Sequence, residues 1–337
     1  MATAIKDKRI LVTGGAGFIG NEVVRQLAAA GARVTALDNL ANGKRANLED
    51  VPAAQHKLVV GDLRDLETVT KCVNGQDAII HMACLGVRHS IHAPLENHEV
   101  NATATLRLLE VAKLKGVPRF TYVSSSEVYG TAQTAPMTEQ HPCWPMTVYG
   151  AAKLAGERYT DAFWRTYRYP TTVVRPFNAF GPRSHHEGDS GEVIPKFLLR
   201  ALSGKPLIVH GDGEQTRDFT FVADTAAGII ACALSENTIG ETINLGSGAE
   251  VTINALAELV RKVTGRNQVT VEHGADRPGD VRRLIADIAK AQRLIGFKAS
   301  VGLEAGLAKL LDWYGSLDVS AEQLLADERP INWAAVR

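Results

Sequence analysis

The 337-residue chain has no excess of charge of either sign, because 37 Lys and Arg balance 37 Asp and Glu. Polyanions such as DNA, and anionic membrane surfaces, attract proteins through a net positive field, so neither nucleic acid nor membrane is expected as a partner. Disorder is excluded as well, since hydrophobic residues make up 45% of the chain and charged residues 22%.

Cysteine is scarce and apolar runs are short. The four cysteines form no Cys-x-x-Cys pair and no metal-ligand spacing, which indicates a reduced, cytoplasmic protein without a metal site. No apolar signal-peptide core follows residues 1–9. The most apolar later stretch, Ala78–Val87, contains His81 and is too short to span a bilayer.

The N-terminal part contains a strand, a glycine turn and a helix in immediate succession. Arg9–Thr13 is an apolar, β-branched run, and apolar residues at helical spacing continue from Asn21 to a helix end expected at Gly31. Between them, glycines let the backbone approach a pyrophosphate and leave N–H groups of the helix N-terminus available to phosphate. The residues expected to contact a dinucleotide here are Gly14, Gly17, Phe18, Ile19 and Gly20.

A second predicted strand, Arg33–Leu37, ends in Asp38 and Asn39. A carboxylate at this position can accept hydrogen bonds from the adenosine ribose hydroxyls, and it would repel the additional phosphate of NADP. The pattern therefore favours NAD as the cofactor. Lys44 and Arg45 lie nearby in the sequence and leave open the alternative that a phosphate is tolerated.

Further strands recur at the spacing of a doubly wound sheet, with helical patterns between them, at 57–60, 78–81, 120–124 and 171–175. We therefore predict an α/β fold with a Rossmann-type doubly wound parallel sheet. Ligands bind beyond the carboxyl ends of parallel strands, so Asp62, Leu63 and Ala83 are expected at the cofactor rim.

Tyr149 and Lys153 are expected one turn apart on one face of a helix. A phenol with a pKa near 10 is a poor base at neutral pH, but an adjacent ammonium group stabilises the phenolate. The strand over 120–123 delivers Ser124–Glu127, where a hydroxyl can share the proton that Tyr149 removes. In isolation such a pair is more typical of an exposed amphipathic surface; the nucleotide turn upstream favours catalysis.

Together these motifs resemble the extended short-chain dehydrogenase/reductases that act on nucleotide sugars. The resemblance runs from residue 9 to about residue 311. The matching segments are Gly14–Gly20, Asp38–Leu40, Ser124–Gly130, Tyr149–Lys153, Arg175–Asn178, Gly181–Arg183, Gly211–Phe219 and Arg277–Asp280.

The resemblance implies a division into a Rossmann domain over 1–175, a smaller C-terminal α/β substrate domain over 176–315 with some segments returning to the sheet, and a tail over 316–337. It also implies a homodimer that pairs helices over 97–115 and 151–167. The expected substrate is a nucleotide sugar, most simply a UDP- or dTDP-hexose.

The same resemblance implies a reaction in which tightly held NAD accepts a hydride from C4 of the hexose and later returns it. Ser125 and Tyr149 would relay the proton while Lys153 holds the ribose and lowers the pKa of the tyrosine. The remaining implied contacts are Pro176 to the cofactor, Asn178 and Arg217 to the diphosphate, Arg277 and Asp280 to the nucleoside end, and Arg88 and Val193 to the substrate.

Glu127 bears on which reaction follows the oxidation. Many 4-epimerases of the family have a small residue there, whereas 4,6-dehydratases and decarboxylases carry Glu, and a carboxylate beside a 4-keto sugar can remove the acidified C5 proton. Many dehydratases also have an Asp just before this Glu; here the residue is Ser126, a much weaker acid. Glu127 as a helix-start acid without a catalytic role is the alternative interpretation.

We therefore expect 4,6-dehydration, with 4-epimerisation as the alternative. Decarboxylation would require a cation for a substrate carboxylate, for which Arg88 and Arg183 are candidates. A catalytically silent NAD-sensing regulator is the alternative from a different class, although it would not need Ser125, Tyr149 and Lys153.

A polar insert over 184–192 separates Arg183 from Val193. Its two histidines and several acids suggest a metal site, but its Gly and Ser content is more typical of a mobile loop, so we expect a lid over the sugar. The tail, including Trp333, carries no interpretable pattern.

Overall fold

A seven-stranded sheet, in which all neighbouring strands are parallel, forms the centre of the protein. The computed structural model describes residues 5–329, 331 and 333. The strands are β1 Arg9–Thr13, β2 Arg33–Asp38, β3 His56–Val60, β4 Ala78–His81, β5 Phe120–Val123, β6 Thr171–Pro176, β7 Asn178–Phe180, β8 Leu207–His210, β9 Thr216–Arg217, β10 Phe219–Phe221, β11 Thr242–Leu245, β12 Val251–Thr252 and β13 Val271–Gly274.

The helices connect these strands. They are α1 Phe18–Ala29, α2 Leu66–Val73, α3 Val87–His92, α4 Pro94–His98, α5 Ala104–Leu114, α6 Val148–Tyr167, α7 Val193–Leu202, α8 Val222–Leu234, α9 Ile253–Thr264, α10 Ala289–Ile295, α11 Leu303–Gly315 and α12 Ala321–Leu324. In the central sheet the strand order is β3-β2-β1-β4-β5-β6-β11, so the order reverses between β1 and β4. Such a reversal opens a crevice where doubly wound sheets bind ligands.

Helices cover both faces of the sheet, which explains why its strands are almost continuously apolar. On β1, Ile10 and Val12 point to one face, where they pack with α1 and α8, and Leu11 points to the other, where it packs with α2 and α5. The predicted α/β fold class, a Rossmann-type doubly wound parallel sheet, is confirmed.

A second hydrophobic core lies in the later part of the chain, formed by α7, α9 and α11 with β8 and β10. Three two-stranded sheets accompany it: β7 with β10, β8 with β13, and β9 with β12. However, β11 belongs to the central sheet and α8 packs against it. The domain boundary at residue 175 stays a prediction.

The helix expected over 97–115 is interrupted. A π-helical turn, Glu99–Thr103, separates α4 from α5. Within this region Asn97 and Asn101 are buried, and their side-chain amides donate to the carbonyl oxygen of Leu85 at 3.1 and 2.9 Å. The two asparagines hold the loop after β4 against the helix, a tertiary contact that apolar periodicity does not report.

A buried ion pair attaches α6 to the sheet. Arg175 on β6 donates from Nε and Nη2 to the two carboxylate oxygens of Glu157 on α6, at 2.8 and 2.6 Å. The side chains are 3% and 2% exposed. Arg175 also donates to the Tyr129 hydroxyl at 2.7 Å, and Tyr129 donates to Asn244 Oδ1 on β11 at 2.7 Å. The network joins α6, β6, β11 and the segment after β5.

No helix in the described ranges is long and apolar enough to cross a membrane.

We predict that Glu157→Gln lowers the free energy of unfolding by about 3–5 kcal/mol, because the variant leaves the Arg175 charge buried without its partner. Asp161→Asn on the same helix is the control: Asp161 accepts from the largely exposed Arg165 at 2.9 Å, and its loss should change the free energy by less than about 1 kcal/mol. Denaturant unfolding measures both. Equal effects of the two substitutions would contradict the structural importance of the buried pair.

Candidate active site

A cavity of about 560 Å³ lies beyond the carboxyl ends of the central strands. Apart from Arg183, the residues predicted above to contact cofactor or substrate or to take part in catalysis line it, from Gly14 after β1 to Asp280 in the later part of the chain. The structure therefore brings the predicted site residues together, while the individual roles stay predictions.

The glycine turn after β1 leaves room for a pyrophosphate. Gly14 has a φ of +70°, and a Cβ there would lie 2.8 Å from the Ala83 Cα. A Cβ on Gly20 would overlap the Gly14 carbonyl oxygen, so only glycine lets α1 approach the turn this closely. Helix α1 begins at Phe18 with Gly17 as N-cap, and neither a capping side chain nor an acidic residue occupies its first turn. The backbone N–H groups of this first turn are therefore suited to a phosphate of a dinucleotide.

Asp38 supports this turn and faces the cavity. Its carboxylate accepts from the backbone N–H of Ala16 at 3.0 Å and of Leu40 at 2.8 Å. A carboxylate has about four acceptor positions, so others remain for ribose hydroxyls. Lys44 Nζ lies 2.5 Å from Glu187 Oε1. The carboxylate partly neutralises the lysine, which makes Lys44 a weaker partner for the 2′-phosphate of NADP.

Asp62 and Asn39, which follow the ends of two neighbouring strands, are hydrogen-bonded to each other. Asp62 accepts from Asn39 Nδ2 at 3.1 Å and from Arg64 Nη2 at 2.8 Å. Hydrogen bonds from Arg64 hold the pKa of Asp62 well below its ordinary value. The carboxylate therefore stays ionised at this end of the cavity.

A buried polar network, which no local sequence pattern predicts, fixes the backbone opposite the glycine turn. Thr13 Oγ1 accepts from the N–H groups of Met82 and Ala83 at 3.1 and 3.2 Å and shares a 2.7 Å hydrogen bond with His81 Nδ1. His81 Nε2 lies 2.8 Å from Thr105 Oγ1. Complete burial lowers the pKa of His81 to about 3, so the ring is neutral at physiological pH. Its role is therefore to hold Thr13 and Thr105 in place, and it does not transfer protons.

Tyr149 and Lys153 lie in the first turns of α6, and both are buried. Burial raises the pKa of Tyr149 well above its ordinary value, while a hydrogen bond with the Ser125 hydroxyl acts in the opposite direction. Burial also lowers the pKa of Lys153, whose Nζ donates to the Val123 carbonyl at 2.6 Å. A phenol in this setting ionises only when further positive charge is present beside it.

Glu127 lies next to this pair. It belongs to a short 3₁₀ turn, Ser126–Val128, whose first N–H groups are capped by the Ser125 hydroxyl, which accepts from Glu127 N at 3.2 Å. A Cβ on Gly150 would lie 2.7 Å from the Glu127 carbonyl oxygen, so this glycine permits α6 to approach the turn. The negative charge of Glu127 contributes to raising the pKa of Tyr149.

At the other end of the cavity one carboxylate joins two arginines. Asp280 Oδ1 accepts from Arg217 Nη2 at 2.6 Å and from Arg277. The resemblance implies that Arg217 contacts the diphosphate and Arg277 the nucleoside end; in the structure both arginines donate to Asp280 Oδ1. Asn178 Oδ1 and Arg88 Nε are buried without a hydrogen-bond partner among the described residues, as expected of groups that contact a ligand.

Arg183 does not reach this site. Its Nη2 donates to Asp50 at 3.1 Å, outside the lining of the cavity. Of the two cations considered for a substrate carboxylate, only Arg88 is in place. Several residues without a predicted role also line the cavity, namely Cys84, Glu192, Lys196, Arg200, His210, Gln215, Glu328 and Trp333.

The insert over 184–192 bridges the cofactor and substrate ends of the cavity. Glu187 pairs with Lys44, and Ser190 donates to Asn42 Oδ1 at 3.1 Å. Burial raises the pKa of Glu192, at its end, to about 7. Across the described ranges no group of three or more His, Cys, Asp or Glu side chains is placed to hold a metal ion.

The sheet reversal, the glycine turn and the buried Tyr149–Lys153 pair define a dinucleotide-binding α/β protein of the short-chain dehydrogenase/reductase class. A family model described as GDP-mannose 4,6 dehydratase matches residues 11–310. The chain belongs to this family, within the extended short-chain group that acts on nucleotide sugars, and the predicted family is confirmed.

Individual relatives cover nearly the whole chain. A putative UDP-glucose 4-epimerase of Methanocaldococcus jannaschii is 34% identical over 90% of this chain and 97% of its own. A dTDP-glucose 4,6-dehydratase of Streptomyces niveus is 35% identical over 91% and 92%. The dTDP-glucose 4,6-dehydratase DesIV of Streptomyces venezuelae, solved with NAD bound, superposes with a TM-score of 0.86 at 34% identity, covering 91% and 97%.

We predict that Gly20→Ala weakens NAD binding at least about tenfold, equivalent to about 1.4 kcal/mol, because the added methyl group displaces the Gly14 carbonyl and with it the phosphate turn. Calorimetric titration with NAD measures the change. Gly315→Ala is the control, since a Cβ at the end of α11 meets nothing within 4 Å. If both variants bind NAD like the wild type, the glycine turn is not the phosphate site.

Proposed function

We propose that the chain is an NAD-dependent nucleotide-sugar 4,6-dehydratase. The observation that carries this proposal is the position of Glu127, a carboxylate in the same cavity as Tyr149 and Lys153 and close enough to Tyr149 to influence its pKa. Elimination after oxidation at C4 requires a second base beside the tyrosine, and a carboxylate can fill that role.

The substrate end of the cavity supports a nucleoside diphosphate sugar, most simply a UDP- or dTDP-hexose. Arg217 and Arg277 supply guanidinium donors, and the amide nitrogen of Asn178, which lines the same cavity, can supply a further one. A diphosphate requires such donors, and Asp280 keeps the two arginines aligned before it arrives.

In the proposed reaction, Tyr149 takes the proton of the C4 hydroxyl while Ser125 hydrogen-bonds to the same oxygen. Bound NAD supplies the reversible hydride acceptor. The 4-keto group acidifies C5, and Glu127 removes the C5 proton. Glu127 then returns this proton to the C6 hydroxyl, which leaves as water, so that one carboxyl group serves as base and acid and Ser126 need not be an acid. Return of the hydride to C6 and uptake of one proton at C5, equal to the proton that Tyr149 took from the C4 hydroxyl, complete the 6-deoxy-4-keto product.

A 4-epimerase working through the same 4-keto sugar is the second candidate. Ser126, in place of an acid, favours it, as does the similarity to the putative epimerase. A UDP-glucuronate decarboxylase would use Arg88 for the substrate carboxylate. A catalytically silent NAD sensor is disfavoured, because burying Tyr149 beside Lys153 and Ser125 would serve no purpose without proton transfer.

We predict that the wild type converts a UDP- or dTDP-hexose to its 6-deoxy-4-keto derivative, identified by NMR. Glu127→Gln should lower the rate of this conversion about 10²- to 10⁴-fold, since an amide cannot move the C5 proton. Tyr149→Phe should also abolish oxidation at C4. Glu272→Gln, at an exposed carboxylate on β13, is the matched control.

The NMR product decides between the candidates. An inverted C4 would replace dehydration by epimerisation, and a pentose would indicate decarboxylation. Absence of any turnover, together with wild-type behaviour of Tyr149→Phe in every assay, would refute the enzyme proposal.

We also propose a cytoplasmic homodimer. The four cysteines are unpaired, which supports a reducing compartment. Exposed apolar side chains lie on the three helices that include the segments predicted to pair: Leu95 on α4, Leu106 and Leu114 on α5, and Val148 and Tyr167 on α6. Burial of this surface against a second copy is the simplest way to remove it from water.

We predict that sedimentation gives twice the chain mass of 36.3 kDa. Leu106→Lys should shift the protein towards monomer, because it places a charge in an apolar interface, whereas Val319→Lys, at an exposed position near the C-terminus, should not. A monomeric wild type, or a variant that dimerises equally well, would contradict the proposed interface.

A further inference from the structure

The C-terminal segment closes one side of the substrate end of the cavity. We call Leu325–Arg329 together with Trp333 the C-terminal wall. Leu325 is buried in the second hydrophobic core, and the Asp327 carbonyl accepts from the N–H of Gly188 at 3.0 Å. The wall thus contacts the insert over 184–192.

Two cations of α7 hold this wall in place. Arg200 Nη1 lies 2.7 Å from Glu328 Oε2, and the two side chains are 11% and 7% exposed. Lys196 Nζ donates to the Arg329 carbonyl at 2.6 Å. Glu328 and both cations line the same cavity as Tyr149. An ion pair buried this well restrains the segment more than an exposed pair would.

An aromatic pair stands at the end of the wall. The rings of Trp333 and His210 are 4.5 Å apart at an interplanar angle of 81°, and both residues line the cavity. His210 ends β8, on the substrate side, away from the glycine turn. Tryptophan offers the largest planar apolar surface of any side chain for a flat ligand ring.

An unsatisfied acceptor lies beside this pair. Gln215 is 8% exposed and donates from Nε2 to the His210 carbonyl at 2.8 Å. Its Oε1 is buried and has no hydrogen-bond partner in the part of the chain that the structure describes. Leaving a buried acceptor unpaired is costly, so the geometry suits a ligand that brings an N–H group to this position.

We propose that Trp333, at the end of the C-terminal wall, stacks on the nucleobase of the substrate, and that Gln215 Oε1 accepts from the ring N–H of uracil or thymine. The inference rests on the proposed nucleotide-sugar function. It makes the C-terminal segment part of the substrate site and Trp333 a determinant of nucleotide affinity. Arg200 acts as a positioning residue, because it contacts the wall through Glu328.

Calorimetric titration with UDP, with dTDP and with inorganic pyrophosphate tests the stacking. Trp333→Ala should weaken UDP and dTDP binding about fivefold to 150-fold, the range for loss of one aromatic stacking partner. It should leave pyrophosphate and NAD binding within twofold of the wild type, and Trp333→Phe should retain most of the nucleotide affinity. Trp144→Ala is the control, at a tryptophan that is exposed and outside the cavity lining.

Equal affinity of wild type and Trp333→Ala for UDP would overturn the inference while leaving the proposed function intact. Parallel weakening of UDP, pyrophosphate and NAD by Trp333→Ala would also overturn it, since that result indicates a general distortion. Failure of the wild type to bind either nucleotide would refute the proposed function itself. CDP, which has no N–H at the corresponding ring position, should bind more weakly than UDP; equal binding would overturn the Gln215 contact.

Discussion

The buried pair of Arg175 and Glu157 is the interaction on which the rest of the site depends. Arg175 belongs to the sheet and Glu157 to α6, so the pair sets where Tyr149 and Lys153 lie relative to the strand ends. Through Tyr129 the same guanidinium also holds the segment that carries Ser125 and Glu127. Removing two charges from water costs free energy that can equal or exceed the attraction between them, so a buried ion pair adds little net stability. The pair fixes the positions of α6 and of the segment after β5 relative to the sheet, and with them those of Tyr149, Ser125 and Glu127.

Close backbone approach is the second constraint, and glycine provides it where elements meet at the cavity. Gly20 brings α1 onto the glycine turn, and Gly150 brings α6 onto the turn of Glu127.

Charge is also distributed locally. A chain with no net charge still presents a helix N-terminus at one end of the cavity and a pair of arginines at the other, which suits two small diphosphates and no polyanion.

Much of the central sheet and of the cofactor side could be predicted from the sequence, because both depend on local patterns. Each pattern involves only a few neighbouring residues. The patterns are the apolar strand runs, the glycine spacing, Asp38 at a strand end and the four-residue spacing from Tyr149 to Lys153. The π-helical turn could not be predicted, since it accompanies contacts between Asn101 and a loop 16 residues away. Apolar periodicity continues through such a turn.

The arrangement of side chains at the substrate end of the cavity could not be predicted from the sequence, because it also depends on contacts between distant residues. Arg183 and Arg88 look equivalent in the sequence, and only tertiary structure gives Arg183 to Asp50 and leaves Arg88 in the cavity. The joining of Arg217 and Arg277 at Asp280 spans more than sixty positions. Glu328 meets Arg200 across 128 positions, from a segment without periodicity or motif. Long-range pairing of single side chains leaves no local signal to find.

The central claim is that oxidation at C4 is followed by elimination and return of the same hydride. The most direct test uses a nucleotide hexose deuterated at C4 and follows the label by NMR. The account predicts a 6-deoxy-4-keto product that carries the deuterium at C6. A product that keeps or regains deuterium at C4 with the C6 hydroxyl intact would contradict it.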